Sequence, residues 1–248
     1  MKALASDYDG TLYFREINNC KEEDLKAIKQ LQKEGSLFGI CTGRPFEGIR
    51  KFIPEELKPD FFIVSSGASI LNKNHEVIYE KALDIKVAEQ LCELYTETDY
   101  VSIQAGQTVL AYKKKRPWTL VSREVIQSLD EIAGMKIYGY SYSLSSEEQA
   151  EKFVQKIYSQ FPDVCEAFQN GDSVDVVAKG CSKGNAIIKI KELLDIDVCY
   201  GIGDSYNDIP MLQKADTSFT FHRSATSIQA CADHIVDSVA EAIQKYIL

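Results

Sequence analysis

The chain lacks most marks of a membrane, zinc or nucleic-acid protein. Its 248 residues are 45% hydrophobic, yet no segment reaches the roughly 18–20 consecutive apolar residues that a spanning helix requires. Met1-Lys2-Ala3 leads directly into the first patterned segment with no apolar signal region, so a cytoplasmic protein is expected. Basic residues are in deficit, 28 Lys and Arg against 37 Asp and Glu, for a formal net charge of −9. That balance disfavours nucleic acid and anionic membranes as partners. The seven cysteines, at 20, 41, 92, 165, 181, 199 and 231, are odd in number and form no Cys-x-x-Cys, so reduced, buried thiols are expected. His75, His222 and His234 show no ligand spacing with cysteine, which argues against zinc. No internal repeat, low-complexity tract or long linker is present. The composition suffices for one sizeable core and a subdomain, as a monomer or small homo-oligomer.

Strands and helices alternate in both outer thirds. Leu25, Ile28 and Leu31 predict a helix over 21–34, stopped by Gly35. A second helix is predicted over 45–53 and a hairpin through Asn72-Lys73-Asn74. Phe61-Phe62-Ile63-Val64 is apolar on both faces, as a buried parallel strand requires. The pattern resumes at Val174 and runs to a final helix over 239–248. These features predict an α/β fold, a Rossmann-like parallel sheet with helices on both faces and ligands at the strand carboxyl ends. Residues 1–80 and 173–248 form that core. Residues 81–172 predict an inserted α+β cap domain: helix 84–97, strands 100–104 and 108–113, a helix near 119–129, strand 136–142, helix 146–160 and a strand near 164–168. Its crossings, near 81 and 171–173, are the expected hinges of a lid.

Four segments carry chemistry, each at a predicted strand-to-loop edge. Asp7-Tyr8-Asp9-Gly10-Thr11 follows the apolar Ala3-Leu4-Ala5. Two carboxylates that close repel unless a cation or a shared proton intervenes; a Mg²⁺ site with one carboxylate free to attack is the economical answer. Thr42-Gly43-Arg44-Pro45 offers a hydroxyl and backbone N–H groups before a helix, a phosphate cradle. Ser182 predicts the N-cap of an amphipathic helix, which puts Lys183 in its first turn. There a cation opposes the helix dipole unless an anion lies beside it. Gly203-Asp204-Ser205-Tyr206-Asn207-Asp208 is a second acidic turn at a strand end.

Asp7-Tyr8-Asp9-Gly10-Thr11-Leu12, Thr42-Gly43-Arg44, Lys183-Gly184 and Gly203-Asp204-x-x-Asn207-Asp208, in this order, resemble the haloacid dehalogenase-like (HAD) hydrolases. The large insert between the second and third motifs resembles the Cof-like phosphatase branch with its type 2 cap. The resemblance implies that Asp7 is a nucleophile forming an aspartyl-phosphate. It implies that Asp9 is the general acid and base and lends its backbone carbonyl to Mg²⁺. It implies that Thr42 and the Gly43 N–H bind phosphate and that Asn207 contacts phosphate or its oxygen ligands. Lys183 neutralises Asp7 and the transferring phosphoryl group, Asp204 ligates the metal and Asp208 supports it. For Arg44 a substrate contact and a structural salt bridge stay open.

Two departures from the family pattern stand out. Tyr8 replaces an aliphatic residue, and its side chain is expected to point away from the metal. Ser218-Phe219-Thr220-Phe221-His222-Arg223-Ser224-Ala225 stands where many relatives run into a compact Met-Gly-Asn-Ala turn, with bulky Phe221, His222 and Arg223 at the rim of the site. Lys113-Lys114-Lys115-Arg116 is read as a solvated strand end, with a basic surface near the substrate as the alternative; Trp118 is read as packing a subdomain core, or as stacking on a sugar or ring. The activity implied is a Mg²⁺-dependent phosphatase acting on a small phosphorylated metabolite, foremost a sugar phosphate. A phosphomutase of the same superfamily and a non-catalytic phosphometabolite-binding or regulatory protein are the alternatives.

Overall fold

A computed structural model describes residues 1–115, 117 and 124–248. The chain opens with β1 (Lys2–Ser6), and a short flap of β2 (Tyr13–Phe14) and β3 (Asn19–Cys20) follows. Next come α1 (Glu22–Lys33), β4 (Leu37–Cys41), α2 (Phe46–Ile49), β5 (Phe61–Val64), β6 (Ser69–Asn72) and β7 (Val77–Glu80). A second unit contains α3 (Ile85–Glu93), β8 (Tyr100–Ala105), β9 (Thr108–Tyr112), β10 (Val125–Ile126), β11 (Ile137–Ser143), α4 (Glu147–Gln160), β12 (Cys165–Asn170) and β13 (Ser173–Ala178). The chain then completes the first unit with α5 (Lys183–Leu193), β14 (Val198–Ile202), α6 (Ile209–Lys214), β15 (Thr217–Phe221), α7 (Thr226–Gln229), β16 (His234–Val236) and α8 (Val239–Ala242).

Among the described residues the first unit is an eight-stranded sheet in the order β16-β15-β14-β1-β4-β5-β6-β7. It is parallel from β16 to β5, and β6 and β7 close one edge antiparallel. Successive residues of a strand face opposite sides. Leu4 of β1 therefore joins the cluster under α1 and α8, while Ala3 and Ala5 join the cluster under α5 and α6. Both faces are apolar because both are covered, as the sequence predicted. The second unit is, among the described residues, a six-stranded sheet, β10-β9-β8-β11-β13-β12, with its own core under α3 and α4.

The sequence-based boundaries shift in three places. Ser173–Ala178, assigned to the core, pairs with β11 and β12 in the second sheet, so the return crossing lies after Ala178 rather than near 171–173. An alternating strand of six residues suits either sheet, and only its hydrogen-bond partners decide. For the helix expected near 119–129, residues 119–123 lie outside the described ones, as do Arg116 and Trp118, while 125–126 is a strand beside β9. The final helix is α-helical only over Val239–Ala242 and continues with π geometry over Ile243–Ile247. Six of the seven cysteines are buried and all are free thiols. No described helix is long and apolar enough to cross a membrane.

Candidate active site

The carboxyl ends of β1, β4, β5 and β14 meet at one edge of the parallel sheet, where a doubly wound fold opens a crevice. Asp7 leaves β1 with its N–H on the Ile202 carbonyl at 2.9 Å. The turn behind it needs glycine: Gly10 has φ +84, and a Cβ there would lie 2.8 Å from Asp204 Oδ2. The neighbouring Thr11 hydroxyl donates to Asp204 Oδ1 at 2.6 Å, tying the first motif to the fourth. Tyr8 turns away, as expected; its ring is buried and its hydroxyl donates to the Phe52 carbonyl at 2.5 Å.

Lys183 enters from α5, which Ser182 caps through the Asn185 N–H at 3.0 Å. Gly184 lets α5 lie against α6, since a Cβ would come 2.1 Å from the Pro210 carbonyl. Lys183 is 2% exposed, and its ammonium donates to Asp7 Oδ1 at 2.6 Å and Asp208 Oδ1 at 2.5 Å. The anions that offset its position in the first helical turn are thus protein carboxylates. Burial pulls Lys183 down, but Asp208 and Asp7 together outweigh it and hold the ammonium charged. Burial pushes Asp7 well up, helped by Asp208, Asp204 and Asp9 against the pull of Lys183. Burial also raises Asp204, opposed by the Thr11 hydrogen bond.

Asp7, Asp204 and Asp208 each offer a carboxylate oxygen within 4.8 Å of the others. Asp208 is largely engaged. Its Oδ1 takes Lys183, and its Oδ2 accepts the N–H groups of Asp204 (3.0 Å) and Ser205 (2.9 Å). Three carboxylates against one ammonium leave an excess of negative charge. An oxygen-only donor set of that charge suits Mg²⁺.

Asp9 is held apart from this cluster by Arg44, whose Nη2 donates to its Oδ1. Arg44 is further anchored by Nη1 to the Gly48 carbonyl at 3.2 Å, so here it bridges Asp9 and α2. Thr42 is buried, and its Oγ1 accepts the Arg44 N–H at 3.2 Å. The Asn207 amide nitrogen approaches Gly43, 3.8 Å from where a Cβ would stand. The expected cluster therefore assembles with two distinct carboxylate environments, one around Lys183 and one around Arg44.

Several neighbours escaped the sequence reading. Ser65, Ser66 and Gly67 follow β5 with φ of 52, 52 and 87, a left-handed turn that non-glycine residues enter at about 1–3 kcal/mol each. From the second sheet Gln104 donates to the Gly43 carbonyl at 3.2 Å, and the Gln107 carbonyl accepts the Glu47 N–H at 3.0 Å. Gln104 left one signal, a large polar residue on the polar face of an alternating strand. Arg223 donates to the Gly10 carbonyl at 2.5 Å and lies over the Phe221 ring at 3.7 Å, so the departure at the rim braces the Asp7–Gly10 turn. His222 is exposed, and His234 stacks on Tyr246 at 4.2 Å. Lys113 and Lys114 lie over Tyr112 and Tyr100 at the far end of β9 from Gln107. About six strand residues, roughly 20 Å, separate them from that core contact.

A parallel-sheet edge bearing this aspartate–lysine cluster under a second α+β unit defines a phosphoryl-transfer class of enzyme fold. The chain belongs to the haloacid dehalogenase-like hydrolases, whose family profile matches residues 4–247. It is 29% identical to the Bacillus subtilis (strain 168) protein YkrA over 253 residues, 97% of this chain and 93% of that protein. It is 21% identical to the Escherichia coli (strain K12) 5-amino-6-(5-phospho-D-ribitylamino)uracil phosphatase YbjI over 243 residues, 94% and 90% of the two chains. Its fold matches that of the HAD subclass IIB sugar phosphatase BT4131 with a TM-score of 0.81 and 21% identity, over 99% of each chain.

Proposed function

We propose that this hydrolase is a Mg²⁺-dependent phosphatase of small phosphorylated metabolites, foremost sugar phosphates, acting through an aspartyl-phosphate on Asp7 in the cytoplasm. The observation that carries it is the division of the carboxylates: Asp7 is fixed on Lys183 in a buried cluster, and Asp9, two residues on, is held outside it by Arg44. The named activities of YbjI and BT4131, on a ribityl phosphate and on sugar phosphates, support the substrate class.

In this mechanism Thr42, Gly43 and Asn207 seat the phosphoryl group. Asp7 attacks phosphorus, and the bond to the leaving oxygen breaks. Asp9 gives its proton to that oxygen, then takes one from the water that cleaves the acyl phosphate and frees Asp7. Lys183 offsets the charge gathered on the phosphoryl oxygens. Asp7, Asp204 and the Asp9 backbone carbonyl would hold Mg²⁺, with Asp208 behind them, and the ion would offset phosphoryl charge as Lys183 does. The second unit would act as a lid, crossing at 81–84 and 179–182.

Hydrolysis of p-nitrophenyl phosphate tests the activity. Excess chelator is expected to stop it, Mg²⁺ to restore it, and Ca²⁺, with longer bonds and more ligands, to support it poorly. Full activity in chelator would remove the metal site, and no hydrolysis in Mg²⁺ would favour a binding protein. Phosphate recovered on a second substrate hydroxyl would identify a mutase. Arg44→Ala separates its two roles. Freed from Arg44, Asp9 should lose alignment, and kcat should fall about 10- to 100-fold with little change in KM. A raised KM with normal kcat would instead place Arg44 on the substrate.

A further inference from the structure

The second sheet presents polar residues to the core where a packing face would be apolar. In β8, β11 and β13, Ile103, Tyr140 and Val176 point into that unit's own core. On the opposite face Ser102 stands beside Ser141, and Ser141 beside Asp175, in one cross-strand row. Gln104 is two residues along β8 on the same face. This face lies directly over the phosphate loop. Asp175 Oδ2 is 2.9 Å from where a Cβ on Gly43 would stand, and Gln104 bonds the Gly43 carbonyl.

Two buried polar atoms around Gly43 have no partner among the described residues, Gln104 Oε1 and Ser66 Oγ. Gln104 is 3% exposed and Ser66 2%. The Gly43 carbonyl can only accept, so the Gln104 nitrogen must face it and Oε1 is left as an acceptor. Ser66 Oγ stands 3.3 Å from the Gly43 Cβ position, carried there by the left-handed turn after β5. Buried polar atoms without partners are rare in folded proteins, and a ligand that satisfies them gains selectivity over one that does not.

We infer, on the basis of the phosphatase activity proposed above, that Gln104 and Ser66 are specificity-determining residues that bind the hydroxyls of a polyhydroxylated leaving group. A sugar or sugar-alcohol phosphate donates O–H to Gln104 Oε1 and exchanges a hydrogen bond with Ser66 Oγ. An alkyl or aryl phosphate leaves both atoms unsatisfied. The two residues act from opposite sides of the cleft, one on the lid and one on the core, so recognition requires the closed arrangement seen here.

The test compares kcat/KM for an aldohexose phosphate, a pentitol phosphate, a straight-chain alkyl phosphate of matching length and p-nitrophenyl phosphate. The wild-type enzyme should prefer the hydroxylated pair to the alkyl ester. Gln104→Leu should shrink that preference about tenfold, the discrimination expected of one hydrogen bond, and Ser66→Ala should shrink it in the same direction. Should Gln104→Leu fail to fold, Ser66→Ala and the isosteric Gln104→Glu carry the comparison, with thermal melts as the control. Equal losses on every ester, or a wild-type enzyme indifferent to hydroxyls, would overturn the assignment while leaving the phosphatase intact. Failure of the wild-type enzyme to hydrolyse any of the four esters in Mg²⁺ would overturn the phosphatase activity, and this assignment with it.

Discussion

Asp7→Asn is expected to abolish turnover, by about 10⁴-fold or more, in a protein that still folds. An amide is a poor nucleophile, and no neighbouring group can replace the Asp7 oxygen at the end of β1. The fold should survive because the change takes one negative charge from a crowded cluster. Asp7 already sits where burial and three neighbouring carboxylates disfavour its ionised form. The amide oxygen can still accept from Lys183. Steady-state rates on p-nitrophenyl phosphate and a thermal melt of the same sample make the measurement. Near-normal steady-state turnover would eliminate the covalent intermediate.

Lys183→Met should cost both activity and stability. The sequence alone suggested otherwise. A cation in the first turn of a helix opposes the dipole, so its removal would be neutral or favourable by roughly 0.3–1 kcal/mol. The structure reverses the sign, because the ammonium is buried between Asp7 and Asp208. Removing one partner of a buried ion pair typically costs about 3–5 kcal/mol, here a fall in Tm on the order of 10 °C. Burial already raises Asp7 above its unfolded value, and losing Lys183 removes the pull against that rise. Stability of the variant is therefore lost as pH rises through the raised Asp7 value, and the deficit should shrink on acidification. It should also shrink in Mg²⁺, which offers the carboxylates another counter-charge. Activity should stay severely reduced even where the fold is restored, since the transition-state charge remains unbalanced. Lys183→Arg should recover part of the rate, its planar fork keeping the charge but misplacing the donors. A variant as stable as the parent in chelator at neutral pH would mean that the two aspartates do not depend on Lys183.

The amino-acid sequence by itself determined the sheet and most of the residues of the candidate site. Asp7 and Asp9 were legible because residues two apart in one short turn need no distant information. The strands around them announced a doubly covered sheet through unbroken apolar runs such as Phe61–Val64. Thr42, Lys183, Asp204 and Asp208 were legible as short motifs at strand-to-loop edges. Tertiary structure decided what lies between segments far apart in the chain. Lys183 meets Asp7 across 176 positions, and Arg44 meets Asp9 across 35. The assignment of β13 to the second sheet is equally non-local, since alternation predicts a strand but not its partners. Gln104 and Ser66 carry no motif. One is a polar residue in an alternating strand and the other a serine in a turn. Their closeness to Gly43 follows only from the folding of one sheet over the edge of another, a matter of long-range packing that local pattern does not encode.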